Sequence, residues 1–303
     1  MKPLKFILAS ILSVFCLAGC IGEDTSMCYG IRLQFEFPDH SRPPNEGAVF
    51  VFKANTDSLV DVFHLNNSQL QPGKRTICFL PSGEYSMVFW GGVDDVNYNY
   101  KRLSSTKSIF NSTKENLYVA LATEDVPQHE TSSILADLFH QEMKNISIPD
   151  KGAPLVYFDK IVKNTNTIKI DIVEKPEGSE IFDLEARVVA RNWQYDFTNE
   201  ILNTTTKIIY SPYTSELNEF VKKMEVSTLR LVPGRNQMLH IEEKTTGRII
   251  LSRKLVDLIM ATGIYTESDL DDLDTFHIEI FFQDRVIIKV NGWLVSDSGQ
   301  DIT

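Results

Sequence analysis

The sequence lacks the short motifs that mark the common enzyme and nucleotide-binding classes. It contains no G-x-S-x-G nucleophile elbow, no Walker loop, no G-x-G-x-x-G and no H-E-x-x-H. The histidines are scattered rather than clustered: His40, His64, His129, His140, His240 and His277. We therefore predict a protein that is not an enzyme and has no cofactor. A Ser/His/Asp set assembled from distant segments would leave no such motif and stays the alternative.

Positive charge is also scarce. The 303 residues carry 30 lysines and arginines against 41 aspartates and glutamates, a formal net charge of −11. An acidic surface argues against binding to nucleic acid and against electrostatic attachment to anionic lipid. The length is comfortable for two domains, and a hydrophobic fraction of 43% suits a protein with well-formed cores.

Long apolar runs are missing except at the N-terminus. Lys2 and Lys5 precede an apolar stretch at residues 6–15, which is too short to span a bilayer and has the length of a signal-peptide core. The Leu-Ala-Gly-Cys sequence at 17–20 follows and resembles a bacterial lipobox. This resemblance implies a lipoprotein signal peptide at 1–19 and lipid on Cys20. The alternative is an ordinary cleaved signal beside an incidental cysteine.

A lipidated Cys20 would place the mature chain outside the cytoplasm, with residues 20–26 as a short polar tether. Membrane attachment would then depend on the acyl chains alone, because the mature part keeps 28 basic residues against 41 acidic ones. Stable anchoring needs two or more acyl chains, which is the number that lipoprotein cysteines carry.

Cysteine is rare, and the N-terminal signal accounts for two of the four in the chain. Cys16 leaves with the signal and Cys20 takes lipid, so Cys28 and Cys78 remain. Outside the cytoplasm such a pair often forms a disulfide. The bridge would close a loop of about fifty residues and contribute roughly 3–4 kcal/mol. Two buried free thiols are the alternative, and the absence of clustered histidines argues against zinc.

The chain after the tether reads as many short strands. Ile31, Leu33 and Phe35 alternate with polar residues, which predicts a strand with one buried face. A continuous apolar run at 48–52 predicts an inner strand. Leu135, Leu138 and Phe139 are spaced like one helix face, which predicts a short helix between 130 and 144. Further strands are predicted at 77–80, 85–90, 117–121 and 155–158.

A second block begins near Lys160 and repeats this pattern. Alternating isoleucines at 168, 170 and 172 predict a strand, and apolar spacing predicts helices at 215–224 and 254–260. Further strands are predicted at 184–190, 226–232, 238–241, 248–251, 276–282 and 286–290. The chain therefore divides into two consecutive, mostly-β blocks at 27–160 and 161–303, and the short, turn-punctuated strands indicate β-sandwiches.

An acidic run at 267–274 is the segment that most resembles a calcium loop. It lacks the glycine that an EF-hand needs at its sixth position. Leu270 and Leu273 instead have the spacing of a helical turn that docks on a core. We therefore predict a solvated acidic loop with no metal.

The three tryptophans are candidate contact residues, since exposed Trp and Tyr can bind proteins or carbohydrate. Trp90 ends an apolar strand and is predicted to lie in the core or at the strand end. Trp293 is predicted to pack across the last hairpin. Trp193 lies with Tyr195 in a polar stretch, which predicts partial exposure and a candidate surface contact.

Three segments together resemble one family. They are Leu-Pro-Ser-Gly-Glu-Tyr-Ser-Met-Val-Phe-Trp-Gly-Gly at 80–92, Leu-Ala-Asp-Leu-Phe-His at 135–140, and Ile-Lys-Val-Asn-Gly-Trp-Leu-Val at 288–295. The last follows an aromatic strand segment at 274–282. The order and spacing of these segments, together with the lipobox, resemble the FimB-type fimbrial anchor lipoproteins of Bacteroidales across essentially the whole mature chain.

The resemblance implies a mostly-β fold of two tandem transthyretin-like β-sandwich domains with a few short helices. It also implies assembly by strand donation, in which an extended segment of one subunit completes the open edge of another. The implied role is a lipid-anchored outer-membrane subunit that seats the first fimbrial stalk subunit and limits fibre length. The alternative is a surface adhesin or glycan-binding lipoprotein on the same scaffold, including a fimbrial tip component, with a host or bacterial surface ligand.

Overall fold

The fold is that of a computed structural model of the chain. The structure describes residues 30–39, 41–94, 96–102, 112–122, 128–174, 177–202, 204–218, 220–283 and 285–295. Within these ranges the chain is mostly β-strand with a few short helices, which confirms the predicted fold class.

The first half contributes eleven of the described strands. They are β1 (Ile31–Phe35), β2 (Glu46–Lys53), β3 (Leu59–Asn66), β4 (Thr76–Cys78), β5 (Gly83–Gly91), β6 (Tyr98–Arg102), β7 (Leu117–Leu121), β8 (Gln128–Thr131), β9 (Phe139–Ile148), β10 (Leu155–Phe158) and β11 (Val162–Lys163). A short helix, α1 (Asn67–Leu70), follows β3, and a 3-10 turn (Lys114–Asn116) precedes β7.

The second half adds eleven more described strands. They are β12 (Thr165–Glu174), β13 (Leu184–Ala190), β14 (Gln194–Asp196), β15 (Lys207–Tyr210), β16 (Thr214–Asn218), β17 (Val221–Leu229), β18 (Met238–Glu243), β19 (Ile249–Lys254), β20 (Thr275–Phe282), β21 (Val286–Val290) and β22 (Trp293–Leu294). The helices are α2 (Leu255–Met260) and α3 (Asp269–Asp272), with a 3-10 turn at Ile181–Asp183.

The first-half core lies between two sheets of unequal size. Three strands in the order β10-β1-β4 face five strands in the order β11-β9-β5-β2-β3. Ile31, Leu33 and Phe35 point from β1 into this core, and the Phe35 ring lies 4.8 Å from the ring of Phe89 on β5. The alternation that predicted β1 is therefore confirmed, because one face of the strand is buried and the other is not.

The five-stranded sheet is buried on both faces. On β2, Val49 and Val51 point into the first-half core, whereas Ala48, Phe50 and Phe52 point the other way, into a core shared with the second half. A strand with two buried faces has a continuous apolar sequence rather than an alternating one. The predicted inner strand at 48–52 is therefore confirmed.

The second-half core lies between a six-stranded and a five-stranded sheet. The strand orders are β16-β17-β12-β20-β21-β22 and β19-β18-β13-β15-β8. The isoleucines of β12 are fully buried there, and β12 pairs with β17 on one side and with β20 on the other. The strand predicted from the alternating isoleucines is therefore confirmed, and it lies at the centre of the sheet.

The two halves exchange strand partners. The first-half strand β8 pairs in parallel with β15, and β14 from the second half pairs with β7 in a small sheet of order β14-β7-β6. Lys163 lies beside this junction, with its Nζ 3.0 Å from carboxylate oxygens of both Asp137 and Asp274. The chain boundary at 160/161 stays a prediction, and the described strands pair across it.

Two predicted helices are wrong. In place of the helix predicted at 215–224, strands β16 and β17 pair with each other, and β17 pairs with β12 through eight residues. The segment after β8 is irregular, and β9 begins at Phe139 and pairs along β5. In both places the helix-like spacing of apolar residues is local, and long-range strand pairing overrides it.

Two other predicted helical segments are confirmed. The helix predicted at 254–260 is α2, and four of its six residues are buried. The helical turn predicted in the acidic run is α3, where Leu270 is 1% exposed. Burying one leucine side chain contributes about 1.5–3 kcal/mol, which is enough to dock a turn whose other side chains are acidic.

Candidate functional site

The N-terminal sites lie outside the described residues. The signal peptide at 1–19, the tether at 20–26, Cys20 and Cys28 all fall in the part of the chain that precedes residue 30. Lipidation of Cys20 and the Cys28–Cys78 bridge therefore stay predictions. Among the described residues, no helix is long and apolar enough to cross a membrane.

Cys78 is a free thiol among the described residues and lies buried on β4, opposite Ile31 of β1. Burial, with a smaller contribution from the negative charge of Asp61, raises the pKa of the thiol to about 11. The thiolate is the reactive form of cysteine, so at neutral pH this side chain behaves as an apolar core residue. No group of three or more His, Cys, Asp or Glu side chains is arranged for a metal within the described ranges.

The exposure predicted for Trp193 and Tyr195 is wrong. Trp193 is 7% exposed and Tyr195 is fully buried. The prediction relied on the polar residues around them. In the structure, β14 is enclosed by its pairing with β7 and by the shared core. The indole N–H of Trp193 donates to Thr204 Oγ1 at 2.9 Å, so the ring holds a neighbouring loop in place. Because both rings are buried, the structure does not support a surface contact through Trp193 and Tyr195.

The other two tryptophans differ from each other. Trp90 is fully buried in the shared core, as predicted, and its ring centroid lies 4.5 Å from that of His140. Trp293 is 52% exposed on β22, the two-residue strand that ends the six-stranded sheet. β22 pairs with β21, so Trp293 belongs to the last strand pair while much of its ring remains in solvent.

The three-stranded sheet of the first half ends at a short edge strand, β4, and no described strand lies beyond it. β4 has three residues and pairs only with β1 in that sheet. Ile77 of this strand is 58% exposed, and Phe79 directly after the strand is 70% exposed. Leu155 lies two strands away on the same outer face, opposite Arg32, and is 41% exposed. Apolar side chains of this size next to an open strand edge are a feature that proteins use for pairing with another strand.

The edge of the facing sheet is protected by comparison. On β3, the Val62 N–H donates to Asp61 Oδ1 at 2.8 Å, and the Asn66 N–H donates to Gln69 Oε1 at 3.0 Å. The Leu59 N–H donates to the Ser112 carbonyl at 2.9 Å. In the described part of the chain no comparable side-chain or loop cap satisfies the backbone of residues 76–79. The β4 edge is therefore the better place for an added strand.

Sequence reasoning did not find this edge. Ile77 and Phe79 were part of a predicted strand at 77–80, and a strand prediction does not say whether the strand is central or at an edge. The available signal was the brevity of the segment, with Lys74 and Arg75 before it and Pro81 directly after it, since short strands beside charge and proline are typical of edges.

Comparison with known proteins supplies a family. The model of the family described as fimbrillin-A associated anchor proteins Mfa1 and Mfa2 matches residues 25–299. A curated relative, the minor fimbrium anchoring subunit Mfa2 of Porphyromonas gingivalis, is 23% identical over 235 residues. The aligned region covers 70% of this chain and 66% of that protein, just under two thirds of its length.

Solved structures share the fold. The fimbrial anchor protein Mfa2 from Porphyromonas gingivalis is 19% identical, with a TM-score of 0.71 over 88% of this chain and 98% of its own. A DUF1812 protein from Bacteroides thetaiotaomicron, provisionally described as polysaccharide binding, is 21% identical, with a TM-score of 0.73 over 91% and 98%. A candidate adhesin from the same species is 19% identical, with a TM-score of 0.71 over 91% and 99%.

Proposed function

The chain belongs to the family of fimbrillin-A associated anchor proteins Mfa1 and Mfa2, and from this premise we propose that it anchors a fimbrial polymer at the cell surface. In this proposal, lipid on Cys20 holds the chain in the outer membrane, and the β4 edge receives an extended segment of the first stalk subunit. The seated subunit starts the fibre at a fixed point, and the anchor thereby limits its length.

The lipid anchor is supported by the N-terminal sequence. The Leu-Ala-Gly-Cys box follows an apolar stretch and a basic start, and about ten residues separate Cys20 from β1. A tether of this length keeps the first-half sandwich within about 35 Å of the membrane surface when fully extended. The three-stranded sheet begins directly where this tether ends, so the β4 edge would lie close to the base of a fibre.

Intact mass spectrometry of the protein from its native membranes tests the lipid anchor. A lipid-sized mass on an N-terminal Cys20, lost together with membrane attachment in Cys20→Ala, is the expected result. An unmodified and soluble mature chain would remove the anchor and favour a secreted tip or binding protein.

The single observation that carries the docking proposal is the unequal first-half sandwich. Its three-stranded sheet stops at β4, with Ile77 and Phe79 exposed and no described cap on the backbone beside them. An added strand would gain main-chain hydrogen bonds along that edge, and its alternate side chains would cover the two apolar residues.

Site-specific photo-cross-linking in fimbriated cells tests the docking site. A benzoylphenylalanine at position 79 should cross-link to the fimbrial stalk subunit. The same probe at position 182 is the matched control, because Phe182 has a similar exposure of 63% but lies in the second half. Equal cross-linking from both positions, or none from position 79 in cells whose fibres are attached, would rule out the β4 edge.

A further inference from the structure

The outer face of the sheet β19-β18-β13-β15-β8 has an uneven distribution of charge. At the middle of β13, Arg187 is surrounded by acid: its guanidinium nitrogens lie 3.0 Å from both Glu185 and Glu242, and 3.9 Å from Glu130. Four residues further along, Arg191 is exposed just past the end of the strand. The structure gives Arg191 no carboxylate partner among the described residues, so the positive charge is neutralised at the middle of this face and not at its Arg191 end.

The unneutralised end is a depression. Arg191, Lys207 and His240 line a hollow of about 420 Å³, together with Asn236 and Met238. Lys207 is exposed and also has no described carboxylate partner. Burial, followed by the positive charge of Lys207, lowers the pKa of His240. Two cations without a described carboxylate partner therefore line one hollow on a protein whose net charge is −11.

A second hollow continues the first. It has a volume of about 290 Å³ and shares Arg191 and Asn236 with its neighbour, and it adds the guanidinium-bearing Arg235. Neither hollow is lined by an aspartate, a glutamate or an aromatic residue. Together they form an elongated cationic groove, defined by Arg191, Lys207, Arg235 and Asn236.

The groove is held by buried hydrogen bonds. Asn192, next to Arg191, is 1% exposed, and its side-chain amide donates to the Leu229 and Arg230 carbonyls at 3.2 and 3.1 Å. Arg235 donates to the Ile201 carbonyl at 3.2 Å. Residues that approach a ligand from a fixed backbone lose little conformational entropy on binding. The backbone beside Arg191 and the side chain of Arg235 are therefore held in place before any ligand arrives.

From this geometry we infer that the cationic groove binds an acidic oligosaccharide through its carboxylate or sulfate groups. Arginine guanidinium groups match such oxyanions with paired N–H donors. The amide of Asn236 and the hydroxyl of Thr205 in the second hollow suit sugar hydroxyl groups, whereas the Thr204 hydroxyl already bonds to Trp193 and to the Thr206 carbonyl. The absence of lining aromatics disfavours a neutral sugar that stacks on a ring and disfavours a protein partner, whose interfaces are rich in aromatic anchors. This inference does not depend on the anchor function.

Binding of labelled oligosaccharides to the mature chain tests the inference. The probes are an oligogalacturonate, which carries carboxylates, and a heparin oligosaccharide, which also carries sulfates. A neutral galactose oligomer and poly-glutamate are the comparison ligands. We expect an acidic oligosaccharide to bind in low salt, to weaken as salt screens the charges, and to bind more tightly than either comparison ligand.

Matched charge variants locate the binding. R191Q/K207Q removes two groove cations, whereas R42Q/K74Q removes an arginine and a lysine that are exposed in the first half. The groove variant should bind the acidic oligosaccharide at least about tenfold more weakly, a change of one decade in Kd, and the control variant should bind normally.

Three results would overturn the inference. They are no binding of either acidic oligosaccharide in low salt, equal weakening by the two double variants, and equally tight binding of poly-glutamate. The last result would assign the groove to acidic polypeptides instead. Because all four substituted side chains are exposed, thermal unfolding of both variants should match the wild type, so that weaker binding reports on the groove.

Discussion

The junction between the two halves and the β4 edge use backbone pairing in opposite ways. At the junction, β8 pairs with β15 and β7 pairs with β14, and Phe197 is fully buried among first-half rings. At the β4 edge, a three-residue strand ends its sheet, and Phe79 stands 70% exposed beside it. Since open edges recruit further strands, one region holds the molecule together and the other is the edge that we propose to receive the stalk subunit.

The largest expected effect comes from breaking the junction at Phe197. Its ring centroid lies 4.7 Å from that of Phe50 and 6.2 Å from that of Trp90, in edge-to-face and tilted contacts. Phe197→Ala would leave a cavity between the halves and should lower the free energy of unfolding by about 3–5 kcal/mol. Urea denaturation followed by circular dichroism measures the change.

Phe182→Ala is the matched control for that experiment. It removes the same side chain from a second-half position that is 63% exposed. Substitution there should change stability by less than about 0.5 kcal/mol. Similar losses from both variants would mean that the Phe197 contacts do not hold the junction.

A smaller effect is expected from protonation of His140 at the same junction. Its Nε2 donates to the Phe197 carbonyl at 3.2 Å, and burial lowers the pKa of the ring to about 4, from 6.5. The neutral form therefore stabilises the fold fully above pH 6.5, and this contribution is lost as the pH falls through the window from 6.5 to 4. This shift in the pKa of His140 corresponds to about 3 kcal/mol in the free energy of unfolding.

Stability curves for wild type and His140→Gln between pH 7.5 and 4 isolate this effect. The glutamine can still donate to the Phe197 carbonyl but does not titrate, so the difference between the two proteins should shrink or reverse as the pH falls. His64→Gln, which replaces an exposed histidine on β3, is the control for other titrations. A constant difference across the whole range would contradict the role assigned to His140.

The smallest effect on stability is expected at the open edge. Phe79→Ser removes a side chain that is mostly in solvent, so it should change the free energy of unfolding by less than about 0.5 kcal/mol. The same variant should release fibres from the cell surface, which electron microscopy of cells and medium detects. A strongly destabilised Phe79→Ser protein would mean that the edge is part of the core and would remove the contrast with Phe197.

The local sequence pattern predicted an element correctly wherever the burial of each of its faces is uniform along its length. The alternation at Ile31, Leu33 and Phe35, the apolar run at 48–52 and the helix at 255–260 were all predictable, because side-chain periodicity reports burial directly. The pairing of β16 with β17 was not predictable in this way. Leu217 is 49% exposed and Phe220 is 76% exposed, so their helix-like spacing has no buried face behind it.

The candidate sites were less predictable than the strands. Trp193 lies in a polar stretch and is nevertheless buried, because β14 pairs with a strand that is more than seventy residues earlier in the chain. Arg191 and Lys207 are ordinary exposed cations in the sequence, and only the pairing of β13 with β15 brings them to one hollow.

By itself the sequence determined the mostly-β class, most strand positions, the likeness to a fimbrial anchor family and the apolar stretch with its lipobox. These features depend on residues near one another in the chain, where hydrophobic periodicity and short motifs are direct physical signals. The tertiary structure alone decided which strands end a sheet, which aromatic rings are enclosed and which cations meet without a carboxylate. Those outcomes depend on pairings between distant segments, and no local pattern records the partner that a strand will find.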